Sequence, residues 1–326
     1  MGYEKELELE GGSLYYRSEE DSIHITRCSR LNGEIRIPDT IDGLPVTVIR
    51  KKAFLSQKKL KRVFLPATLQ EIGEWAFAFC SRLEEAVLPQ RKLRRGKGIF
   101  QECKRLERIT VYKGETMQDV EKTEQRRTEA GTETGTETGT ETEMPREQAA
   151  RLLASAAVML DAEYLLEPVE AGSSEWLFKW DARLQELLQR EESEGYTKTI
   201  LCGEEDLDSD LETYQKEVRR EKARLCLKRL MNPYGLKGPL KEQLTEFLLS
   251  HTKGCETEEA WEVLLFEHGD EREYYAFFCE LGAIHAGNRS AVLLDMGEDH
   301  AEMKAFVIQQ GQEETAGESF FAGLSL

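Results

Sequence analysis

Histidines and cysteines are the side chains best suited to metal binding, acid–base work or nucleophilic attack, and in this chain their spacing argues against all three. His268, His285 and His300 fall in a helical part of the sequence; none makes an H-E-x-x-H pair, and none has a cysteine at ligand spacing. The seven cysteines are an odd number with no C-x-x-C pair. That pattern predicts buried, reduced thiols and a cytoplasmic protein rather than a disulfide framework. Gly235 to Gly238, with Lys237 and Lys241, resembles a phosphate loop only superficially. A phosphate loop needs G-x-x-x-x-G-K-[ST], and here Gly238 is followed by Pro239. No G-x-S-x-G elbow is present. The sequence therefore predicts no catalytic residue, no cofactor and no metal site. An enzyme hidden in the helical domain stands as an alternative.

Binding chemistry remains, and charge carries it. The 326 residues have a formal net charge of −18, but from Leu31 to Tyr112 there are 17 Lys and Arg against 9 Asp and Glu. That segment is at +8, so the remainder carries −26. Its cations cluster as Lys51-Lys52, Lys58-Lys59, Lys61-Arg62, Arg91-Lys92, Arg94-Arg95 and Lys97. Such clusters steer acidic surfaces. Nucleic acid is disfavoured, because aromatic interleaving is poor and the rest of the chain repels polyanions. The expected partner is an acidic protein. The chain's own acidic linker and helical domain are a further, intramolecular candidate.

The elements that position these cations follow from a repeat. Phe54, Phe77 and Phe100 stand 23 apart, as do Leu60, Leu83 and Leu106, and Leu65-Pro66 recurs at the same interval as Leu88-Pro89. A fixed period in this range, with leucines held in phase, marks a solenoid whose coils bury their apolar sides only by stacking. Alternation along the strands places Val63, Ala86 and Ile109 inside with Leu65, Leu88 and Val111. It points Arg62, Glu85 and Arg108 outward as a charge ladder, with Phe64, Val87 and Thr110 beside them. The candidate partner-binding residues are Arg62, Phe64, Glu85, Val87 and Arg108 on the strand face. Arg91, Lys92, Arg94 and Arg95 complete the set from the basic block. Cys80 and Cys103, in register, are expected as small buried fillers. Residues 13–37 have the grammar of a hairpin, expected to cap the open first coil.

Ile37-Pro38, Ile72-Gly73, Ala76-Phe77, Cys80, Leu83 and Leu88-Pro89 resemble the BspA-type leucine-rich repeats, a bacterial family with a coil of this length. The insert Ile41-Asp42-Gly43-Leu44-Pro45-Val46 looks like that family's usual first repeat. The resemblance spans roughly residues 30–112 and implies a leucine-rich solenoid with an interaction role. Members are often surface proteins with many repeats. This chain departs in having about three coils and, in Met1 to Glu10, no apolar signal region. An adhesin-like surface protein is the second reading. Arg95 stands where the preceding coil has Ile72, so the third coil reads as degenerate and terminal.

Thr, Glu and Gly dominate from Lys113 to Pro145, where Gly131-Thr132-Glu133-Thr134 recurs three times in tandem. Such a segment buries too little to order itself and is expected to be a disordered acidic linker. Helical spacing follows, with a second fixed interval: Leu264-Leu265, Asp270 and Ala276-Phe277 recur in phase as Leu293-Leu294, Asp299 and Ala305-Phe306. This predicts ankyrin-like helical stacking without the Thr-Pro-Leu-His signature. The most apolar run, Leu152 to Leu160, is nine residues, far short of the ~20 of a membrane span. The predicted organisation is a β-hairpin cap over 1–36, a solenoid over 37–112, a linker over 113–145, a helical domain over 146–311 and a frayed tail over 312–326. The predicted class is α+β multidomain, a β-solenoid tethered to an all-α helical-repeat domain.

Overall fold

The computed structural model describes residues 3–113, 144–159, 161–196 and 210–323. The chain divides into two compact units, Met1–Arg183 and Leu184–Leu326. The expected disordered linker lies almost wholly outside the described residues.

The first unit is built on a coil that returns at the period of the sequence repeat. Strands β1 (Lys5–Leu9), β2 (Gly12–Glu19) and β3 (Ser22–Ser29) form an antiparallel meander, one strand more than the expected hairpin. β3 then pairs in parallel with β6 (Leu44–Ile49), which continues through β8 (Glu71–Ile72) to β10 (Arg94–Arg95). The meander thus completes the edge that the first coil would leave open. A second sheet, all parallel, orders β4 (Gly33–Arg36), β7 (Leu60–Phe64), β9 (Glu85–Pro89) and β11 (Arg108–Tyr112). Together the sheets make about four turns, one more than the repeat count predicts. The insert in the first turn is a two-residue hairpin joining β5 (Thr40–Ile41) to β6. Its tip, Asp42-Gly43, takes φ of 53° and 78°, the left-handed pair such a tight turn requires.

Inside the coil the phenylalanines stack. Phe54 and Phe77 have ring centroids 4.7 Å apart, and Phe77 and Phe100 5.5 Å, all three fully buried. Cys80 and Cys103 are buried as expected, and each thiol also donates to the carbonyl of the phenylalanine one coil back, at 3.2 Å to Phe54 and 3.1 Å to Phe77. The filler position therefore also ties coil to coil.

Two turn positions per coil are left-handed. Lys52, Trp75 and Gly98 have φ of 60°, 53° and 58°; Ser56, Phe79 and Glu102 have 58°, 59° and 57°. Both columns follow the period of the coil and reverse the chain between sheets.

The first unit does not stop at the solenoid. Helix α1 (Arg146–Val158), a short 3₁₀ turn at Glu163–Leu165 and the start of α2 (Ser174–Gln189) belong to it, and α1 packs on β11. Leu152, Leu153, Trp176 and Trp180 form the core of this cap. The indole N–H groups of Trp176 and Trp180 donate to the carbonyls of Leu165 (2.8 Å) and Leu152 (3.0 Å). The unit boundary therefore falls near Arg183, not at the 145/146 junction suggested by the change in composition.

The second unit contains α3 (Leu211–Met231), α4 (Gly238–Ser250), α5 (Glu259–Glu267), α6 (Arg272–Leu281), α7 (Arg289–Asp295) and α8 (Ala301–Gly323). Asp210 caps α3 by accepting from the Thr213 N–H at 2.8 Å. Gly282, at φ 78°, ends α6. Helices α5 to α8 lie where the internal spacing predicts helices. α8 runs to Gly323, past residue 312, where the tail was expected to fray.

Candidate binding surface

The strand-face ladder forms, and it is longer than predicted. Glu34, Arg62, Glu85 and Arg108 stand in register across β4, β7, β9 and β11. Arg62 donates to Glu34 (3.2 Å) and to Glu85 (3.0 and 3.1 Å), while Arg108 lies 3.6 Å from Glu85 and 3.7 Å from Glu147 of α1. Thr110 donates its hydroxyl to Glu85 at 2.6 Å. Glu85 is only 4% exposed. The ladder neutralises itself, so it offers no surplus charge to a partner.

Phe64 and Val87 do not point into solvent. They are 0% and 1% exposed, packed with Tyr112 and flanked by Ala67. The Arg36 guanidinium lies over the Phe64 ring at 3.6 Å, and Tyr112 reaches back to donate its hydroxyl to the Leu65 carbonyl at 2.9 Å. Both faces of this sheet are therefore covered. The expectation of an exposed aromatic on the strand face is corrected by the long side chains that fold over it. Burial also pushes the Tyr112 hydroxyl well above its ordinary pKa.

Most of the predicted cations are occupied too. Arg91 donates to the Ala67 carbonyl (2.6 Å) and Arg94 to Glu71 (3.0 Å). Arg95 binds the Leu166 carbonyl and the Glu167 carboxylate (2.9 Å), pinning the cap to the last coil. Of the four, Lys92 alone is exposed and without an ion pair among the described residues.

A different set of cations is free. Lys59, Arg82 and Arg105 hold the same position in three successive coils, on the turn that leads into each strand. All three are exposed, and none makes an ion pair among the described residues, nor does the neighbouring Lys58. At the start of this row an open cleft of about 410 Å³ is lined by Arg30, Leu31, Asn32, Gln57, Lys58 and Lys59. Beside the row, Lys51 binds Glu74 at 2.7 Å, and that ammonium holds the Glu74 carboxyl below its ordinary range. The in-phase spacing of Lys59, Arg82 and Arg105 is the sequence signal for this row.

No group of three or more His, Cys, Asp or Glu side chains is placed to hold a metal ion among the described residues. No helix among them is long and apolar enough to cross a membrane.

The family described as BspA type leucine rich repeat region matches residues 27–123 in six copies. A search of the curated proteins found no match. Among solved structures, a leucine rich cell surface protein from Faecalibacterium prausnitzii A2-165 is 20% identical, with a TM-score of 0.27, covering 33% of this chain and 32% of its own. The leucine rich repeat protein of T. pallidum is 25% identical, with a TM-score of 0.25, over 34% of this chain and 65% of its own. A leucine-rich repeat protein from Bacteroides ovatus is 22% identical, with a TM-score of 0.25, over 32% and 28%. The chain thus spans less than two thirds of each. Residues 27–123, under a third of the chain, are thus similar to the BspA type leucine rich repeat region.

Proposed function

We propose that this chain is a non-catalytic interaction protein that docks an acidic protein partner on the turn edge of its solenoid. The observation that carries the reading is the column Lys59, Arg82, Arg105, exposed and without ion pairs among the described residues. Successive coils stack about 4.8 Å apart. Like charges at that spacing repel one another, and carboxylates laid along the row relieve the repulsion. Several other cations of the solenoid meet internal partners, as Arg62, Arg94 and Arg95 illustrate. A row left unneutralised is therefore the place where an external acidic surface gains most.

The test uses the full chain and a fluorescein-labelled peptide of twelve glutamates. Binding is expected to be weak and to vanish between about 0.1 and 1 M salt, as the Debye length falls from ~10 to ~3 Å. The triple reversal Lys59→Glu, Arg82→Glu, Arg105→Glu should abolish it, mainly by slowing association. Equal binding by wild type and the reversed chain would remove the reading. Comparing the full chain with a fragment ending at Gln189 shows whether the acidic helical unit competes for the row. The ankyrin-like reading of the helical domain over 146–311 belongs to this proposal, supported by the starts of α6 at Arg272 and α8 at Ala301, one repeat apart. So does a cytoplasmic location, which rests on the cysteine spacing and which cell fractionation tests.

A further inference from the structure

The turn that carries Arg82 also carries two aromatic side chains that the coil does not require. Trp75 and Phe79 occupy the two left-handed positions of the middle coil, at φ 53° and 59°. The same positions hold Lys52 and Gly98, or Ser56 and Glu102, in the coils on either side. A polar residue or glycine thus satisfies the backbone, and a bulky side chain there is a steric outlier. Phe79 is 48% exposed, and Trp75 is half-buried. The indole lies across the coils. On one side it rests on Gly98, where an added Cβ would fall 2.7 Å from the ring atom Cδ1. On the other side the ammonium groups of Lys51 and Lys52 lie 4.6 and 5.2 Å from its centre. The ring is therefore held in place, and its setting is cationic. Exposed Lys97, Lys59 and Arg82 lie on the same turn edge.

We propose that Trp75 and Phe79 are the apolar anchors of the docking edge, and that its occupant is an acidic protein segment carrying bulky apolar side chains between its carboxylates. The proposal rests on the reading of the turn edge as the dock for an acidic partner. A central aromatic pair ringed by charge is the arrangement in which a few side chains dominate binding. Cations set around an apolar centre complement such a segment. They have nothing comparable to offer an uncharged apolar helix.

The experiment compares two twelve-residue peptides on the full chain, one of glutamate alone and one alternating glutamate with leucine. Trp176, Trp180 and Trp261 are fully buried, so quenching of tryptophan emission by neutral acrylamide reports chiefly on Trp75. The alternating peptide should shield Trp75 from acrylamide and bind at least ~10-fold more tightly than polyglutamate. Trp75→Asn and Phe79→Asn, which suit a left-handed backbone, should each remove most of that advantage while leaving polyglutamate binding and its salt dependence unchanged. Equal affinity for the two peptides, with Trp75 unshielded, would overturn the anchors while leaving the charged edge standing. Failure of both peptides to bind would remove the acidic-partner reading and this proposal with it. Heparin shielding Trp75 as well as the alternating peptide does would overturn the protein occupant. If a variant unfolds, shielding in the wild-type chain still decides the matter.

Discussion

Glu85 organises the outer face of the solenoid. It is a buried carboxylate that satisfies two guanidinium groups and a hydroxyl, and each of those three reaches it from a neighbouring strand. Glu85→Gln keeps the shape and the Thr110 contact but removes the charge. Arg62 and Arg108 are 34% and 47% exposed, so water recovers part of what they lose. The expected destabilisation is therefore about 1–2 kcal/mol rather than the larger cost of a fully buried pair, and urea unfolding measures it. A change below a few tenths of a kcal/mol would show that the ladder is only a solvated ornament of the face. The pairing of Arg62, Glu85 and Arg108 was legible, because residues one period apart in a coil must face each other. The burial of Phe64 and Val87 was not legible. Alternation tells which face a side chain takes, but not that Arg36 and Tyr112 will fold over that face from other strands.

At the scale of the element, two kinds of order hold the units together. In the solenoid, Leu83 is fully buried in mid-stack, and Leu83→Ala should cost about 2–5 kcal/mol as a cavity in a narrow core. The melting of the solenoid should fall by many degrees, and a shift of only a few would mean that the register is wrong. This register could be read from the sequence, since the period of phenylalanine, leucine and cysteine is a direct image of the stacking. In the helical unit a row of ion pairs joins α3 to α5 beside the apolar core. Along α3, Lys216 and Arg220 both donate to Glu262 of α5 at 2.7 Å, Arg219 to Glu259 at 2.7 Å and Arg224 to Glu267 at 2.8 Å. Burial alone would raise the pKa of Glu262, but the hydrogen bonds and charges of Lys216 and Arg220 outweigh it and hold the carboxyl below its ordinary value of 4.5. The unfolded chain therefore takes up this proton at higher pH than the folded one. The stabilisation is present above that ordinary value and is lost as pH falls through the lower, folded one. Glu262→Gln should flatten the acid limb of helical unfolding below about pH 4.5 and leave its slope near neutrality unchanged, as circular dichroism against pH would show. Helical spacing is legible across this region, but the partner of α3 is not. Charged residues on a helix look alike whether they meet water or another helix.

For the molecule as a whole, the informative boundary is the one that composition misplaced. A solenoid of about four turns ends in an open coil, and a short stack has little core to spare for an exposed end. At the first coil the antiparallel meander closes that end, which the sequence signalled through its hairpin grammar. At the last coil the closure comes from beyond residue 143, where α1 packs on β11 and Arg95 crosses to Leu166 and Glu167. That connection has no local signature. It joins residues 72 apart, and the intervening change in composition reads as a domain boundary. It also explains Arg95 itself, which breaks the apolar pattern at the Ile72 position because it serves the cap rather than the coil. The Glu167 side chain is 10% exposed, and its second oxygen has no hydrogen-bond partner among the described residues, so Arg95 is the partner that its carboxylate would lose. Arg95→Ala should therefore cost about 2–3 kcal/mol, and the double variant with Glu167→Ala should recover part of the loss, giving a measurable coupling energy. The same logic sets the minimal folding unit. A fragment of residues 1–189 should unfold cooperatively with native-like strand content. A fragment ending at residue 113 should melt at least ~10 °C lower or aggregate through its bare last strand. Calorimetry on the two fragments decides it. Equal melting would mean that α1 and α2 only rest on a solenoid that is stable without them, and that Arg95 is a surface contact rather than the pin of a cap.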